Sequence, residues 1–592
     1  MTKLHSFLIY TIGKSRSNLI FWLTLSFTFA AIYSIPGLQQ AFSGEYVVQD
    51  DARQHVFWMQ RFIDPGLFPN DLMADYFQSV APAGYKAVYQ LMAGLGIEPF
   101  LLHKLLPIVL VLIATGYCFG VCLQLLPVPF AGFIATLLLN QNLWMQDDII
   151  SGTPVAFVYP LFLAFLYYLL RSSLLGVGVA IALLGLFYPQ CMLVGVCILI
   201  LRLFRWEGKS LSLSSSRKDY LLMLSGLGIA SAILLSYALK SSEFGKVISV
   251  AEAKTIPAFL PKGWSSFFSN NFSNFWLCGK RSGMIPSEWC VLTHKFFPIP
   301  IPPQIFAGLS LPILLRFSSV FPLSKLITKE IIILPQLAIA SLTMFFMAHA
   351  LVFKLHLPNR YTEHSLRMLM SIAAGIAIAL IIDAVFNWAQ VKTQDKKLNF
   401  GVLPLAFCLV LGVALFGYPH ILQFKKFPFP NTRYIGGGLP SLYKFFEQQP
   451  KDIIIASLAE EANNLPSFAK RSILAGGEGY ALPYHPKYYQ EIRQRTIDTI
   501  AVQYSGNIGE VKNFIEKYKV DFWLLDKQAL TVEYTERDRW LKQYQPLSDE
   551  VLAKLKGGMV PALSKVMPSC HVFETGNLVV LKAECIVKNQ LN

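Results

Sequence analysis

Apolar runs of about 20 residues recur through the first 420 positions and set the organisation of the chain. A helix of about 20 apolar residues crosses a hydrocarbon core of roughly 30 Å. We count about eleven such runs, near 18–37, 105–125, 127–145, 152–170, 172–187, 189–204, 219–240, 303–318, 331–353, 367–387 and 399–419. The pattern predicts a polytopic α-helical membrane protein. Basic residues precede the first run and no small-residue cleavage site follows it, so we interpret it as an uncleaved anchor.

The composition agrees with a membrane protein. The chain has 592 residues, of which 54% are hydrophobic and only 15% charged, and its mean hydropathy is +0.46. A soluble protein carries about 25% charged residues. The net charge of +15 is better explained by Lys and Arg in cytoplasmic loops than by nucleic-acid binding.

Three basic loops set the predicted orientation. They are "RLFRWEGKSLSLSSSRKD" (202–219), "RFSSVFPLSKLITKE" (316–330) and "VKTQDKKLN" (391–399). With eleven spans, all three lie on the side of the basic N-terminus, which the positive-inside rule makes cytoplasmic. The first loop (38–104), the long loop (241–302) and the C-terminal region then lie outside. We expect a bacterial inner-membrane protein.

The C-terminal region, 421–592, differs in kind from the apolar module, 1–420. Its apolar runs shrink to strand length in "DIIIASL", "RSILAG", "DFWLLD" and "NLVVLKA". Two helical patterns lie between them, "PKYYQEIRQRTIDTIAVQY" and "NIGEVKNFIEKYK". The alternation predicts an extracytoplasmic α/β domain with a mostly parallel sheet. It has no Gly-rich phosphate fingerprint, so we assign no nucleotide site to it.

An acidic pair, Asp50 and Asp51, follows the first apolar run. In the next segment, Val56, Met59 and Phe62, together with Ile63, have helical spacing, which predicts an interfacial helix on the outer membrane surface. The acidic pair then begins that helix. Capping of the helix explains one Asp on its own.

A second acidic pair, Asp147 and Asp148, lies at the outer end of a later span. Two acidic pairs on one membrane face predict a convergent site. Such a site suits a divalent cation such as Mg²⁺ or Mn²⁺, held by Asp51, Asp147 and Asp148, or a carboxylate acting as general base. His55, one turn after Asp51, either joins these groups or is an ordinary interfacial histidine.

A basic cluster lies outside the membrane, where the charge rule predicts few positive residues. It comprises Lys354, His356, Arg360, His364 and Arg367. Arg binds phosphate through paired hydrogen bonds, so the cluster predicts a site for a lipid-linked phosphate. Attraction to anionic lipid headgroups is the alternative.

Four of the nine cysteines fall in the predicted outer segments. Cys278 and Cys290 share the long loop, and Cys570 and Cys585 share the C-terminal region. Two pairs on an oxidising side suggest two disulfides. The others, within spans, are predicted apolar fillers: Cys118, Cys122, Cys191, Cys197 and Cys408.

These features together resemble the GT-C superfamily of membrane glycosyltransferases. Members share an acidic motif just after the first span, and many add a second acidic motif and an outer C-terminal domain. Here the motifs are "QDD" at 49–51 and "QDD" at 146–148. The segments "LPNRYTEHSLR" and "LPSFAKRSILAGGEGYALPYHPKYY" resemble bacterial, in particular cyanobacterial, members.

The resemblance implies transfer of a sugar from a polyprenyl-phosphate donor to a glycan, lipid or protein acceptor outside the cytoplasm. Asp50 or Asp51 would deprotonate or orient the acceptor. Arg360, with Lys354 or Arg367, would hold the leaving phosphate. Some members need a metal and others do not. No WWDYG-like motif is present, so the chain departs from the oligosaccharyltransferase branch and peptide-asparagine transfer is not expected.

Two other classes compete with this hypothesis. A transporter or flippase of lipid-linked intermediates needs polar residues along the spans, and among the charged residues we find only Asp383, near a cytoplasmic end. A non-catalytic scaffold predicts that the two acidic pairs lie far apart.

Overall fold

A computed structural model describes residues 2–11, 16–207, 210–239, 242–294, 303–396, 402–423, 428–477 and 479–589. Three basic residues that enter the orientation argument, Lys14, Lys209 and Lys397, lie outside the described residues.

A helix lies in each of the eleven predicted apolar segments. Their bounds are Arg16–Ala41, Pro99–Leu125, Pro129–Trp144, Val158–Leu170, Leu174–Phe187, Pro189–Leu201, Arg217–Leu239, Pro303–Arg316, Ile333–Ala350, Glu363–Lys396 and Val402–Gln423. Among the described residues, six helical segments are long and apolar enough to cross a membrane, and four are shorter apolar helices. The number of eleven crossings stays a prediction.

The Glu363–Lys396 helix lies at the centre of the apolar module, packed against the Pro129–Trp144 and Pro303–Arg316 helices. Most of its apolar window is buried, whereas the Arg217–Leu239 and Val402–Gln423 helices expose most of theirs. Gly375 permits the close approach: a Cβ there would lie 2.7 Å from the backbone oxygen of Ala131. Small residues at such crossings are typical of helix packing in membranes.

The Pro129–Trp144 helix carries polar residues that we did not single out from the sequence. Thr136 donates to Ser26 (2.9 Å), Asn140 to Thr115 (3.0 Å) and Asn142 to Ser371 (3.1 Å). Each bond joins this helix to a neighbouring one. These buried side chains therefore hold the helices together.

Shorter helices follow the first apolar helix and decorate the long loop. They are Asp50–His55, the 3₁₀ helix Phe57–Phe62, Leu72–Val80, Ala83–Gly94, Val250–Ala253, the π-helix Ser273–Leu277 and Ser287–His294. The predicted interfacial helix is wrong. Val56 and Met59 are fully buried and only Ile63 is well exposed, because the segment packs beneath C-terminal residues such as Tyr480.

Within the part of the chain that the structure describes, nine strands form three sheets. They are β1 (Val47–Gln49), β2 (Phe204–Glu207), β3 (Ser210–Leu213), β4 (Tyr434–Gly436), β5 (Ile454–Ser457), β6 (Ser472–Ile473), β7 (Phe522–Asp526), β8 (His571–Thr575) and β9 (Leu578–Lys582). Strands β1 and β4 pair, as do β2 and β3, and the rest form a five-stranded sheet in the order β6-β5-β7-β9-β8.

All four predicted strands lie in the five-stranded sheet, but the sheet is mixed. Strand β5 pairs parallel with β6 and β7, whereas β9 pairs antiparallel with β7 and β8. The prediction of a mostly parallel sheet is wrong, because two of the four strand pairings are antiparallel. A tight turn between β8 and β9 forces theirs, and β9 also pairs antiparallel with β7. Both predicted helices occur, at Pro486–Gln503 and Ile508–Tyr518, among the region's other helices: Pro440–Glu447, Leu465–Phe468, Val532–Arg537, Leu547–Lys556, Ala562–Cys570 and Ala583–Lys588.

Candidate functional site

A two-stranded sheet fixes the first acidic pair in place. Strand β1 ends at Gln49 and pairs antiparallel with β4, and the Asp50 amide donates to the Arg433 carbonyl (3.1 Å). The side chain of Gln49 accepts from the Ala52 amide (3.1 Å) and caps the Asp50–His55 helix. Neither aspartate is therefore the N-cap residue, and both carboxylates occupy the first helical turn.

The two aspartates of this pair differ in their partners. Asp50 accepts from Arg53 (3.0 Å) and from Gln54 (3.5 Å). Arg53 also donates to Asn464 (2.7 Å), which ties Asp50 to the C-terminal region. Among the described residues, the Asp51 carboxylate has no hydrogen-bond or ion-pair partner.

Asp51 faces the charged groups of the site. Although its side chain keeps some contact with solvent, burial raises its pKa, and so do Asp50 and Asp148. Arg360 and Arg433 oppose the rise. These electrostatic effects link Asp51 to Asp148 of the second acidic motif and to Arg360 of the basic cluster.

The second acidic pair follows the Pro129–Trp144 helix. Asp147 lies 3.4 Å from Arg433, and burial, Asp51 and Asp148 raise the pKa of Asp147 to about 6. Burial also raises the pKa of Asp148, but Arg367, with His364 and Arg360, outweighs it and the net shift is downward. The pair therefore holds one carboxyl that titrates near pH 6 and one that stays ionised.

Arg367 is fully buried and all its donors are used. Its Nε donates to Glu288 (2.7 Å), and Nη1 to Asp148 (2.9 Å) and to the Tyr159 hydroxyl (2.6 Å). Its Nη2 donates to Glu288 and Glu363, at 3.0 Å each. A guanidinium has five N–H donors, so Arg367 has none left for a phosphate. The geometry gives Arg367 a structural role in place of the phosphate contact predicted from the sequence.

The other residues of the predicted basic cluster differ in their surroundings. Arg360 lies 3.7 Å from Glu363, and its Nε is buried without a hydrogen-bond partner. Lys354 is exposed and forms no ion pair with a described residue, so nothing draws it to the acidic pairs. Burial lowers the pKa of His356 to about 3, with Arg360, Arg281 and His485 adding to the shift, so His356 is neutral.

The other two candidate histidines, His55 and His364, pack against aromatic side chains of the protein. His55 packs edge-on against Phe77, and burial lowers its pKa to about 4, so it contributes no positive charge to the acidic pair. His364 is fully buried beside Tyr159, with Nδ1 at 3.1 Å from the hydroxyl.

Five charged residues of the site were missed from the sequence: Lys280, Arg281, Glu288, Glu363 and Arg433. Glu288 and Glu363 pair with Arg367, and only Glu363 has a sequence signal, the four-residue spacing from Arg367 on one helix face. Lys280 and Arg281 stand in the loop that the Cys278–Cys290 disulfide closes. The second pair, Cys570 and Cys585, is also disulfide-bonded.

The carboxylates do not form a ready metal site. No three His, Cys, Asp or Glu side chains gather closely enough to hold a metal within the described part of the chain. Of the predicted ligands, Asp148 is bonded to Arg367 and Asp147 to Arg433. The donor set Asp51, Asp147 and Asp148 thus does not fit a cation as arranged.

The comparisons with known proteins give structural likenesses only. No family model matches the chain, and no curated protein matches it in sequence. An Archaeoglobus fulgidus oligosaccharyltransferase, solved with a tethered acceptor peptide, is 11% identical at TM-score 0.47, over 90% of this chain and 72% of that one. The same organism's AglB, in complex with an inhibitory peptide and dolichol-phosphate, is 12% identical at TM-score 0.42, over 89% and 72%.

A mycobacterial arabinofuranosyltransferase, AftD, is 12% identical at TM-score 0.48, over 94% of this chain and 40% of that one. At such identities and TM-scores the likenesses assign no reaction, donor or residue to this chain.

Proposed function

We propose that this protein is an integral membrane glycosyltransferase that moves a sugar from a polyprenyl-phosphate-linked donor to an acceptor outside the cytoplasm. The proposal rests on the presence of a carboxylate and a guanidinium, Asp51 and Arg360, in the same site. Asp51 is a carboxylate without a hydrogen-bond or ion-pair partner among the described residues, and Arg360 is a cation with an unsatisfied buried Nε that acts electrostatically on it. A base and an anion-binding group in one site are what transfer from a phosphate requires.

Asp51 is the proposed base. The pKa of Asp51 is raised above its usual value and so lies nearer to neutral pH. A general base is most effective when its pKa is close to the pH at which it works. Asp51 takes the proton of the acceptor hydroxyl or amine, the freed heteroatom attacks the anomeric carbon, and the bond from that carbon to the phosphate oxygen breaks. In-line attack inverts the anomeric centre. Asp50 positions the helix through its bonds to Arg53 and Gln54.

Arg360 is the proposed ligand of the leaving phosphate. Loss of the sugar converts a phosphodiester with one negative charge into a monoester with two. A guanidinium aimed at that oxygen binds the product state more strongly than the donor, which lowers the barrier. Arg367 acts through Asp148, Glu288 and Glu363, whose positions it fixes.

The proposed orientation puts this site on the extracytoplasmic face of a bacterial inner membrane, with the N-terminus in the cytoplasm. Two disulfides lie in segments assigned to that face, which suits an oxidising compartment. Free nucleotide sugars are scarce there, so a lipid-linked donor is favoured. The proposed reaction involves no metal step, because Asp148 is paired with Arg367 and Asp147 with Arg433.

A transporter remains the second class, but Asp383, the charged residue noted within a predicted span, has a local role. Asp383 lies 2.9 Å from His5 and accepts from the Leu323 amide at 3.2 Å. These contacts anchor the N-terminal helix, Thr2–Ile9, and the segment before the Ile333–Ala350 helix. These structural contacts explain the presence of Asp383 in the helix, so it gives no support to a transport function.

The deciding experiment supplies the purified full-length protein in lipid nanodiscs with a panel of radiolabelled polyprenyl-phosphate sugars and membrane extract as acceptor. We expect label to pass from the donor into a new product and polyprenyl phosphate to be released in equal amount. Label crossing the bilayer of proteoliposomes still attached to its lipid, with no new product, would instead establish the transporter.

A further inference from the structure

The segment 278–290 is a closed loop with little freedom to move. Cys278 is disulfide-bonded to Cys290. Gly279 has no room for a side chain, since a Cβ there would meet Ser282 Oγ at 2.3 Å and the Asn274 carbonyl oxygen at 2.5 Å. The loop therefore presents its tip, Lys280 and Arg281, in a fixed place.

The tip is docked on the segment that carries Arg360. Asn359 donates through its side chain to the Lys280 carbonyl (3.0 Å) and through its amide to the Arg281 carbonyl (3.4 Å). His349 Nε2 lies 2.9 Å from the Ser282 carbonyl. Asn359 directly precedes Arg360 in the chain. Its hydrogen bonds therefore hold the backbone of Lys280 and Arg281 against the segment that carries the Arg360 guanidinium.

The two cations of this loop have no ion-pair partner in the described part of the chain. Among the described residues, Lys280 and Arg281 form no ion pair, and Arg360 keeps its buried Nε unsatisfied. Lys280 is solvent-exposed, yet partial desolvation of its ammonium group lowers its pKa. Arg281 and Arg433 add to this shift, whereas Asp147 and Asp51 oppose it. A buried donor without a partner, such as the Arg360 Nε, is costly unless an anion accepts from it.

We propose that Lys280 and Arg281 are phosphate ligands that form a three-cation clamp with Arg360, held in register by the Cys278–Cys290 disulfide. This rests on the proposed function and extends it to residues outside the predicted basic cluster. Three positive charges suit the two negative charges of a released polyprenyl phosphate. The clamp therefore binds that product more strongly than the singly charged donor.

The test is binding of undecaprenyl phosphate to the full-length protein in detergent, which needs no acceptor and no knowledge of the sugar. Lys280→Ala and Arg281→Ala should each weaken binding about tenfold or more, as expected for one charge-assisted hydrogen bond. Both substitutions leave the backbone bonds to Asn359 intact. Lys246→Ala removes an exposed lysine of the same long loop and should leave binding unchanged.

The disulfide gives a second arm. The double variant Cys278→Ser/Cys290→Ser should weaken binding, whereas Cys570→Ser/Cys585→Ser removes the other disulfide and should not. Phosphatidic acid, added as a competitor, separates a site for polyprenyl phosphate from one for any lipid phosphomonoester.

The possible failures are distinguishable. If the wild type binds undecaprenyl phosphate and both alanine variants bind it equally well, the clamp is overturned while the proposed function stands. If the folded wild type binds no polyprenyl phosphate, the proposed function itself fails. Equal competition by phosphatidic acid contradicts a site built for the polyprenyl donor.

Discussion

Arg367 Nη1 lies 2.9 Å from Asp148 Oδ2, and this ion pair joins the second acidic motif to the central helix of the apolar module. The same guanidinium binds Glu288 from the disulfide-closed loop. One buried arginine thus fixes three segments that are distant in sequence. Breaking such a pair on one side leaves carboxylates buried and uncompensated, which is strongly destabilising.

Arg367→Met should therefore destabilise the folded protein by about 3–5 kcal/mol, the range for breaking a buried ion pair. Thermal unfolding of the detergent-purified variant, followed by tryptophan fluorescence, measures it. Arg360→Met is the matched control: it should unfold near the wild-type temperature and lose affinity for polyprenyl phosphate. A stable Arg367→Met that only loses lipid binding would restore the phosphate contact predicted from the sequence.

Asp51→Asn should lower sugar transfer at least about 100-fold, because a positioned general base contributes roughly that factor or more. Asp50→Asn should lose less than about tenfold, since its role is to hold the helix. Initial rates of label transfer at matched protein insertion give both values. Asp64→Asn is the control, an exposed carboxylate of the same loop that pairs with Lys451. Full activity in Asp51→Asn would remove it as the base.

Asp147 should give the protein a pH-dependent stability. Its pKa rises from 3.8 to about 6 in the folded state, so between these values the folded protein holds the proton that the unfolded chain has released. Stability from this group is therefore present at low pH and falls as pH rises from about 4 to about 6. Melting temperatures of the wild type minus those of Asp147→Asn should decline across this window. A flat difference would contradict the raised pKa.

Gly375→Ala should destabilise the apolar module, because the added Cβ lies 2.7 Å from the Ala131 backbone oxygen and the helices must separate. The expected cost is about 1–3 kcal/mol, as for overpacking a core. Gly412→Ala is matched, since a Cβ there meets nothing within 4 Å, and it should be neutral or slightly stabilising. Unfolding of both variants in the same detergent checks this, and equal stability would argue against the tight crossing.

The sequence by itself placed the long apolar helices and four of the nine strands found within the described residues. Hydropathy and period are local properties, so the eleven apolar segments are helical and "DFWLLD" is a strand. The acidic pairs were found because each follows the end of an apolar run. The cysteine pairs were found because each lies in one predicted outer segment.

Tertiary structure alone decided which of these groups is free to react. Arg360 and Arg367 are alike in sequence, yet only Arg367 meets Glu288 and Asp148. Asp50 and Asp51 are adjacent, yet only Asp50 reaches Arg53, which Asn464 holds in turn. The sheet became mixed for the same reason, through a hairpin whose strand β8 carried too weak a pattern to predict. Pairing depends on contacts through space between distant segments, and periodicity along a chain does not contain those contacts.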